Sequence, residues 1–218
     1  MAQFVIEAAR RICEIEADAQ ACGLTNLYID TDFLKYREHC ERVGVHAHKE
    51  FDPAISQILP DSGFWIHGER AGETVHLQAM RLDDLGTSTL AEFFRLVYTQ
   101  VYDAEITGSC PAAEEISGRV AYHGGLWLHP DLRGDKVGLK LCRYGILTAF
   151  LRWHPDFIVG WATKRTGLAG MTKLGYFRLE PLVLSWKGDA PFPPYGWLCW
   201  NSNKALRHSV RLPSEQYD

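Results

Sequence analysis

A strand, a turn, a helix and a second strand follow one another in the second half of this chain, and that succession constrains its fold more than any other feature. Residues 119–128 are strand-like but contain two adjacent glycines, Gly124 and Gly125. Glycines inside a strand indicate a bulge or a close approach by another backbone or a ligand. Apolar residues at helical spacing over 137–153 then predict a helix, and a buried-strand pattern occupies 157–162. The sequence therefore predicts a mixed α/β protein in which helices flank a sheet.

The remainder of the chain predicts further helices and strands. The segments before this unit predict a helix over 5–19, a strand at 27–29, helices at 32–43 and 53–59, a hairpin at 64–82, a helix at 88–101 and a loop at 103–118. The segments after it predict a short helix at 166–174, a strand at 176–179 that resumes at 182–186, and a last strand at 196–200. No internal repeat is visible, so a repeat architecture is not expected.

The composition favours one globular domain. The chain has 218 residues, of which 46% are hydrophobic and 23% charged, and these values are typical of soluble globular proteins. Its formal net charge of −4 predicts no general attraction to nucleic acid or to an anionic membrane. The longest apolar stretch near the middle, residues 145–151, is far too short to span a bilayer. We therefore expect no nucleic acid and no membrane among its partners.

The cysteines favour a reducing environment. They are Cys13, Cys22, Cys40, Cys110, Cys142 and Cys199, and no spacing between them matches a structural zinc site or a redox Cys-x-x-Cys pair. The first residues show no secretory-signal pattern. We therefore expect free thiols, no metal and a cytoplasmic location.

Basic residues cluster where the predicted strand at 119–128 leads into the next helix. Arg133, Lys136 and Lys140 lie there, in a chain that is acidic overall. The N-terminus of a helix offers unpaired backbone N–H groups and a partial positive charge, so a glycine-containing turn that feeds it can hold a phosphate. The sequence thus predicts a local anion site at this turn.

The same turn resembles motif A of the GCN5-related N-acetyltransferase superfamily. That motif is a strand ending in aliphatic-x-Pro-x-x-Arg/Gln-x-x-Gly-x-Gly and leading into a helix, and the run from Leu128 to Gly138 here reads LHPDLRGDKVG. Residues 157–177 resemble motif B, with LGYF at 174–177 where that superfamily commonly has Leu-Gly-Phe. The order of the predicted elements also fits, and the resemblance covers roughly residues 25–200.

Two positions depart from the superfamily pattern. Lys136 stands in place of the first glycine of Gly-x-Gly, which costs about 1 kcal/mol or more if that backbone position needs a positive φ. Its ammonium is alternatively a contact for a phosphate. Met171 stands where many members carry the tyrosine that protonates the leaving thiolate, and methionine cannot donate that proton.

The resemblance implies a mixed α+β fold, with a central mixed, mostly antiparallel sheet flanked by helices. Residues 25–218 would form the acyltransferase domain, and residues 1–24 a helical extension. Acetyl-CoA, or another acyl-CoA, is implied as co-substrate, with its pantetheine along the end of the strand and its pyrophosphate on the turn. A backbone N–H near Leu128 would stabilise the developing oxyanion. The implied cofactor-binding residues are Leu126, Trp127, Leu128, Arg133, Gly134, Asp135, Lys136, Val137, Gly138 and Leu139.

Three residues are candidates for proton transfer in the implied reaction. Tyr122 and His123 lie on the predicted strand shortly before the proposed acyl site, and a histidine is suited to neutral pH. Strand alternation directs only one of the two into a cleft, and a bulge at the glycines can change which one. Tyr176, beside the motif B glycine, is a further candidate proton donor. The alternative is that these side chains only pack or hydrogen-bond in the protein interior.

Two other groups of residues are interpreted without a catalytic role. A possible metal set, which we interpret instead as a solvated polar loop, consists of His46, His48, Glu50 and Asp52. An aromatic group near the C-terminus consists of Trp186, Phe192, Tyr195, Trp197 and Trp200. We interpret it as part of the core. The alternative is that some of these rings, together with Phe64 and Trp65, wall an acceptor pocket.

These features together predict an acyl-CoA-dependent N-acetyltransferase. An amine would attack the thioester directly, because no cysteine lies where a covalent acyl-enzyme would need it. The acceptor is expected to be a small-molecule or peptide amine, and a homodimer is left open. One alternative is a non-catalytic acyl-CoA-binding module on the same fold, and another is a phosphate- or nucleotide-binding protein unrelated to CoA.

Overall fold

The computed structural model describes residues 2–102, 109–133, 137–163, 174–183 and 195–211. Its strands are β1 (Asn26–Asp30), β2 (Gly63–Arg70), β3 (Glu73–Asp84), β4 (Arg119–Leu128), β5 (Phe157–Thr163), β6 (Arg178–Val183) and β7 (Tyr195–Ser202). Its α-helices are α1 (Ala2–Ala21), α2 (Phe33–Arg42), α3 (Leu90–Tyr102), α4 (Pro111–Glu115), α5 (Val137–Trp153) and α6 (Asn203–Ser209). Short 3-10 turns lie at Lys49–Phe51 and Pro130–Leu132.

The described strands form one seven-stranded sheet in the order β1-β2-β3-β4-β5-β7-β6. Neighbouring strands are antiparallel except β4 and β5, which are parallel. A parallel pair needs a crossover connection, and α5 lies in the connection between these two strands. The predicted fold class, a mixed and mostly antiparallel sheet flanked by helices, is confirmed.

Local chemistry explains why the first elements form where they do. The β2–β3 hairpin turns at Ala71 and Gly72, whose φ angles of 53° and 82° are the positive values that a two-residue type I′ turn requires. Helix α2 begins after Asp32, whose side chain accepts a hydrogen bond from the backbone of Leu34. Helix α3 begins with a capping box between Thr89 and Glu92, in which each side chain accepts from the backbone N–H of the other residue.

The sheet is covered on both faces by apolar residues. On one face, α2, α3 and α4 pack over a cluster that includes Phe33, Trp65 and Phe94. On the other face, α1, α5 and α6 pack over a cluster that includes Phe64 and Phe150. Side chains alternate between the two faces along each strand. Consecutive residues within β2, and likewise within β4, therefore belong to different clusters.

Several predicted elements differ from the structure. The helix predicted at 53–59 is wrong, because the Asp52 side chain accepts from Ala54 N–H and its carbonyl closes a single turn with Ile55 and Ser56. The predicted loop at 103–118 contains the short helix α4, and α6 was not predicted. The predicted helix at 166–174 falls almost entirely outside the described residues.

Helix α1 packs against α5. Phe4 meets Phe150 with ring centroids 4.7 Å apart, and Lys140 forms a 2.7 Å ion pair with Asp18. We expected Lys140 to add charge at the anion site; it pairs with Asp18 of α1, and its contribution to an anion site stays a prediction. The division at residue 24 stays a prediction. Among the described helices, none has the length and apolar character that crossing a bilayer requires.

Candidate active site

The parallel strands β4 and β5 separate part-way along their length. They are paired from Val120 with Phe157 to His123 with Gly160, and beyond that point the described pairing stops. The rest of β4 stays bonded to β3, as its pairing of Leu128 with His76 shows. A cleft therefore opens between the C-terminal halves of the two strands, in the middle of the sheet.

A bulge in β4 lies at the point where this cleft begins. The pairing with β3 shifts in register between Leu77, which pairs with Trp127, and Ala79, which pairs with Gly124, so the extra residue of β4 directly follows Gly124. Gly125 has a φ of 60°, and a Cβ there would collide with the Tyr36 hydroxyl. The predicted bulge at the two glycines is confirmed, and Gly125 is required by both its φ and its close neighbour.

A cavity of about 310 Å³ occupies the cleft. It is bounded by both separated strands, by the segment after α2 and by the turn that precedes β6. The residues that line it are His48, Glu50, Tyr122, His123, Gly124, Gly125, Leu126, Cys142, Gly160, Trp161, Ala162, Thr163, Leu174 and Tyr176. The three residues predicted to transfer protons thus surround one cavity.

Leu128 directs its backbone N–H toward the open edge of β4. The next residue, His129, donates its N–H to the carbonyl of Val75, the residue just before His76 in β3, at 2.8 Å. Successive N–H groups along a strand point to opposite edges, so the Leu128 N–H points away from β3. That is the edge from which β5 has separated, where a substrate carbonyl could accept this hydrogen bond.

A chain of side-chain hydrogen bonds runs beneath the cleft. Tyr176 Oη lies 2.9 Å from His123 Nδ1, His123 Nε2 lies 3.0 Å from Gln78 Oε1, and Gln78 Nε2 lies 3.0 Å from His76 Nε2. At the far end, His76 Nδ1 lies 3.0 Å from the Trp127 carbonyl oxygen. Gln78 Nε2 also donates to the Leu141 carbonyl at 2.7 Å, which fixes the orientation of the amide.

The carbonyl end of this chain, together with the fixed amide of Gln78, determines which nitrogen of each neutral histidine carries a proton. The Trp127 carbonyl only accepts, so His76 Nδ1 donates and its Nε2 accepts from Gln78. Gln78 Oε1 then accepts from His123 Nε2, which leaves His123 Nδ1 to accept from the Tyr176 hydroxyl. All four hydrogen bonds run in one direction, from the tyrosine to the backbone of β4.

Burial keeps both histidines of this chain neutral. It lowers the pKa of His123 to about 3, with a smaller effect of the neighbouring His76. Burial likewise lowers the pKa of His76 to about 4, opposed by its hydrogen bond to the Trp127 carbonyl. Burial raises the pKa of Tyr176 well above its usual range. Tyr176 is thus a neutral hydrogen-bond donor, and His123 is a weak base with both nitrogens engaged.

Tyr122 belongs to the opposite face of the sheet. Its ring stacks on Phe51 with centroids 5.6 Å apart, in the cluster under α2 and α3, whereas Tyr176 belongs to the cluster under α5. Alternation therefore separates Tyr122 from His123, as expected for adjacent strand residues. Both still line the cavity, because the cleft lies between the separated strands and is open to residues from either face.

The described cofactor-binding candidates lie along the end of β4 and the start of α5. Leu126 is exposed, and Arg133 Nε donates to the Leu128 carbonyl at 2.9 Å. Gly138, in the first turn of α5, faces Leu128, whose Cδ2 would lie 2.8 Å from a Cβ at that position. Val137 is buried and Leu139 is half-buried. Trp127 is partly buried, and its ring packs edge-on to His129.

Some predicted site residues lie outside the part of the chain that the structure describes. Gly134, Asp135 and Lys136 lie outside the described residues, as do Met171, Trp186 and Phe192. Phe64 and Trp65 are fully buried core residues and do not line the cavity, so the alternative that they wall an acceptor pocket is wrong. Trp161 lines the cavity instead.

Glu50 was not recognised as a site residue from the sequence. The interpretation of its segment as a solvated loop is wrong at this position, because Glu50 is only 3% exposed and lines the cavity. Its Oε2 accepts a 2.6 Å hydrogen bond from the Tyr102 hydroxyl. Within the described part of the chain, its Oε1 is buried without a hydrogen-bond partner. The described residues contain no group of three or more His, Cys, Asp or Glu side chains that could hold a metal ion.

The fold is similar to those of several solved proteins. Escherichia coli ElaA has a TM-score of 0.47 at 13% identity, covering 80% of this chain and 97% of that chain. Arabidopsis thaliana NAA60, solved in complex with acetyl-CoA, has a TM-score of 0.48 at 7% identity, covering 81% and 98%. An acetyltransferase of the GNAT family from Streptococcus pneumoniae has a TM-score of 0.44 at 8% identity, covering 81% and 99%. No protein-family model and no curated protein matches the chain.

Proposed function

We propose that this chain is an acyl-CoA-dependent N-acetyltransferase of the GCN5-related superfamily, which moves an acetyl or other acyl group to an amine by direct attack. The observation that carries the proposal is the cleft between β4 and β5, where the paired strands separate after His123 and Gly160. A strand with an unoccupied edge can hydrogen-bond an extended ligand such as pantetheine. The bulge at Gly124 and Gly125 gives this ligand a way into the sheet.

The proposed donor site uses the backbone of β4 and the start of α5. The Leu128 N–H would donate to the thioester carbonyl and stabilise the oxyanion that forms during attack. The pyrophosphate would lie at the N-terminus of α5, a helix of 17 residues, near Arg133 and Gly138. Gly138 is compatible with this placement, because a glycine leaves the backbone N–H groups of the first turn open to a ligand. Acyl-CoA, when bound, would supply the activated carbonyl.

We assign His123 and Tyr176 to positioning rather than to proton transfer. Burial holds the pKa of His123 near 3 and both ring nitrogens are engaged, so it is a poor acceptor for a proton from an amine. Burial raises the pKa of Tyr176, so its hydroxyl is a poor proton source. Their hydrogen bonds instead hold β4 against β3 and α5. Tyr122, on the other face of the sheet, remains a candidate for proton transfer.

A non-catalytic acyl-CoA-binding module is the second candidate function. It is favoured by the state of His123, the candidate general base, which is neutral, weakly basic and hydrogen-bonded through both ring nitrogens. Such a module would use the same donor site.

A thermal-shift titration with acetyl-CoA, CoA and ATP tests the donor site. Stabilisation by both CoA species and not by ATP is the expected result, and no shift with any CoA species would refute both candidate functions. Release of CoA thiol from acetyl-CoA, followed against a panel of amines, separates the two. A protein that binds CoA but releases no thiol above background hydrolysis is a binding module.

A further inference from the structure

Glu50 presents a buried carboxylate oxygen to the cavity. The residue is 3% exposed, and Oε1 has no hydrogen-bond partner among the described residues. A buried carboxylate oxygen without a hydrogen bond is costly, because the desolvation of that oxygen is not offset. Its position in the cavity wall means that a bound molecule could supply the missing partner.

The cationic side chains around Glu50 are committed to other groups. The Arg81 guanidinium donates to both carboxylate oxygens of Asp83, at 2.7 to 3.2 Å, and to the backbone carbonyl of Glu50 at 3.1 Å. Lys49 Nζ donates to the Val101 carbonyl at 3.1 Å. The Tyr102 hydroxyl binds the other carboxylate oxygen. The environment therefore holds the carboxylate in place and leaves Oε1 for a donor that enters the cavity.

The backbone brings this carboxylate close to the proposed acyl site. Phe51, the next residue, packs its ring against Gly124, where a Cβ would lie 2.8 Å from the ring. The 3-10 turn at Lys49–Phe51 therefore lies against the bulge of β4. Glu50 and the bulge glycines line the same cavity, so a molecule that reaches Oε1 also reaches the bulge.

We propose that Glu50 is the acceptor-binding carboxylate of this site, and that it selects acceptors whose amine is a primary alkylammonium. This inference rests on the proposed acetyl transfer. Oε1 accepts a hydrogen bond from the ammonium and then takes one of its protons. The neutral nitrogen attacks the thioester carbonyl, the C–N bond forms and the C–S bond breaks. The second proton lost by the nitrogen goes to the thiolate, which leaves as the CoA thiol, and Glu50 returns its proton to solvent.

Charge at the acceptor nitrogen distinguishes this proposal from a cavity that selects by shape alone. An alkylamine is protonated at neutral pH and needs a proton acceptor before it can attack, whereas an arylamine such as aniline is already neutral. A positioned base contributes about 10²–10⁴-fold. Removal of the Glu50 charge should therefore slow transfer to an alkylamine by about a hundredfold or more, and transfer to aniline much less.

The test compares Glu50→Gln with the wild-type chain and with Glu115→Gln, a control at an exposed glutamate of α4. Binding of n-butylammonium to each protein in the presence of CoA is measured by calorimetry, and transfer to n-butylamine and to aniline is measured with acetyl-CoA. We expect Glu50→Gln to bind butylammonium at least tenfold more weakly, while its affinity for CoA is unchanged. Glu115→Gln should behave as wild type.

Competition on the wild-type chain provides a measurement that does not depend on the folding of a variant. n-Butylammonium should compete with a second alkylammonium for the cavity. n-Butanol, which has a similar shape but no charge, should not compete. Equal inhibition by both, unchanged butylammonium binding in Glu50→Gln, or equal loss of transfer to both amines would overturn the proposal. If butylammonium binds through Glu50 but the wild-type chain transfers no acetyl group, the proposed function fails and the binding role of Glu50 stands.

Discussion

The hydroxyl of Tyr176 donates a hydrogen bond to Nδ1 of His123 over 2.9 Å, because the Gln78 amide oxygen accepts from Nε2 and leaves Nδ1 as the acceptor nitrogen. The Nε2 proton is then directed to Gln78, and through that amide the chain continues to His76 and the backbone of β4. A one-directional chain has no spare strong donor, and the nearest alternative for His123 Nδ1 is the weak thiol of Cys142. The loss of any member leaves a buried neighbour without its partner, which is more costly than the loss of an isolated hydrogen bond.

Tyr176→Phe should lower the free energy of unfolding by about 1–3 kcal/mol, because it leaves the buried His123 Nδ1 with no donor stronger than the Cys142 thiol, whose sulfur lies 4.0 Å away. Urea denaturation measures this change. Tyr28→Phe is the matched control, since Tyr28 is 42% exposed and its ring stacks on His67. Equal stability loss in the two variants would contradict the hydrogen-bond chain. A fall in acetyl transfer of more than about a hundredfold would instead identify Tyr176 as a proton donor.

Stability should fall as the pH is lowered from about 6.5 to 4. The folded pKa values of His123 and His76 are lowered to about 3 and about 4, below the ordinary 6.5. In that window the unfolded chain binds protons that the folded chain does not, so acid favours unfolding by up to about 1.4 kcal/mol per pH unit for each histidine. The urea unfolding free energy measured across this range gives the slope.

The slope of this pH dependence separates the contribution of His123 from that of the other groups that titrate in acid. His123→Asn should reduce the number of protons taken up on unfolding by about one. The number of protons does not depend on how stable the variant is, so the comparison holds even if the substitution destabilises the fold. An unchanged slope would mean that His123 titrates alike in both states.

Local sequence patterns predicted the part of the site that depends on backbone geometry. The glycines at 124 and 125 indicated a bulge, and the bulge lies at the start of the cleft. The apolar periodicity of 137–153 predicted α5 with bounds that match the structure. These features are readable because the turn and helix preferences act between residues that are close in sequence.

The acidic part of the site was not predictable in the same way. Glu50 lies in a polar segment with no periodicity, and its burial depends on contacts with Tyr102, which is distant in sequence. The Gln78–His123 contact is equally non-local, between β3 and β4. Lys140 likewise has a non-local partner, because Asp18 comes from α1. Side-chain partners of this kind are set by the tertiary fold.

Gly125→Ala should destabilise the fold. Alanine at a φ of 60° costs about 1 kcal/mol, and its methyl group would collide with the Tyr36 hydroxyl. Gly44→Ala is the matched control, since its φ of 74° is similar but nothing lies within 4 Å of a Cβ there. Unfolding free energies should therefore differ between the two variants by the collision alone. Similar losses would mean that the bulge does not depend on this contact.

Gly145→Ala should destabilise the fold although alanine is the better helix former. A Cβ at this position of α5 would collide with Gln78 Oε1 and lie 2.8 Å from its Cδ. Gln78 cannot move without breaking its hydrogen bonds to Leu141 and His123. We expect a loss of about 1–3 kcal/mol, typical of overpacking, in place of the gain of about 1 kcal/mol that an exposed helix position would give. Thermal denaturation of the variant distinguishes the two signs.

Gly138→Leu tests where the anionic part of acyl-CoA binds. A Cβ at this position would lie 2.8 Å from Leu128 Cδ2, the flexible tip of a side chain, so Gly138→Ala should be tolerated by a small movement of Leu128. A leucine would extend across the start of α5, where the proposed pyrophosphate site needs open backbone N–H groups. We expect the affinity for CoA, measured by calorimetry, to fall about tenfold or more in Gly138→Leu and to change little in Gly138→Ala, because a blocked phosphate loses charge-assisted hydrogen bonds worth more than 1 kcal/mol. Equal affinity in the wild-type chain and both variants would exclude the N-terminus of α5 as the phosphate site and would leave only the open edge of β4 as the contact for the co-substrate.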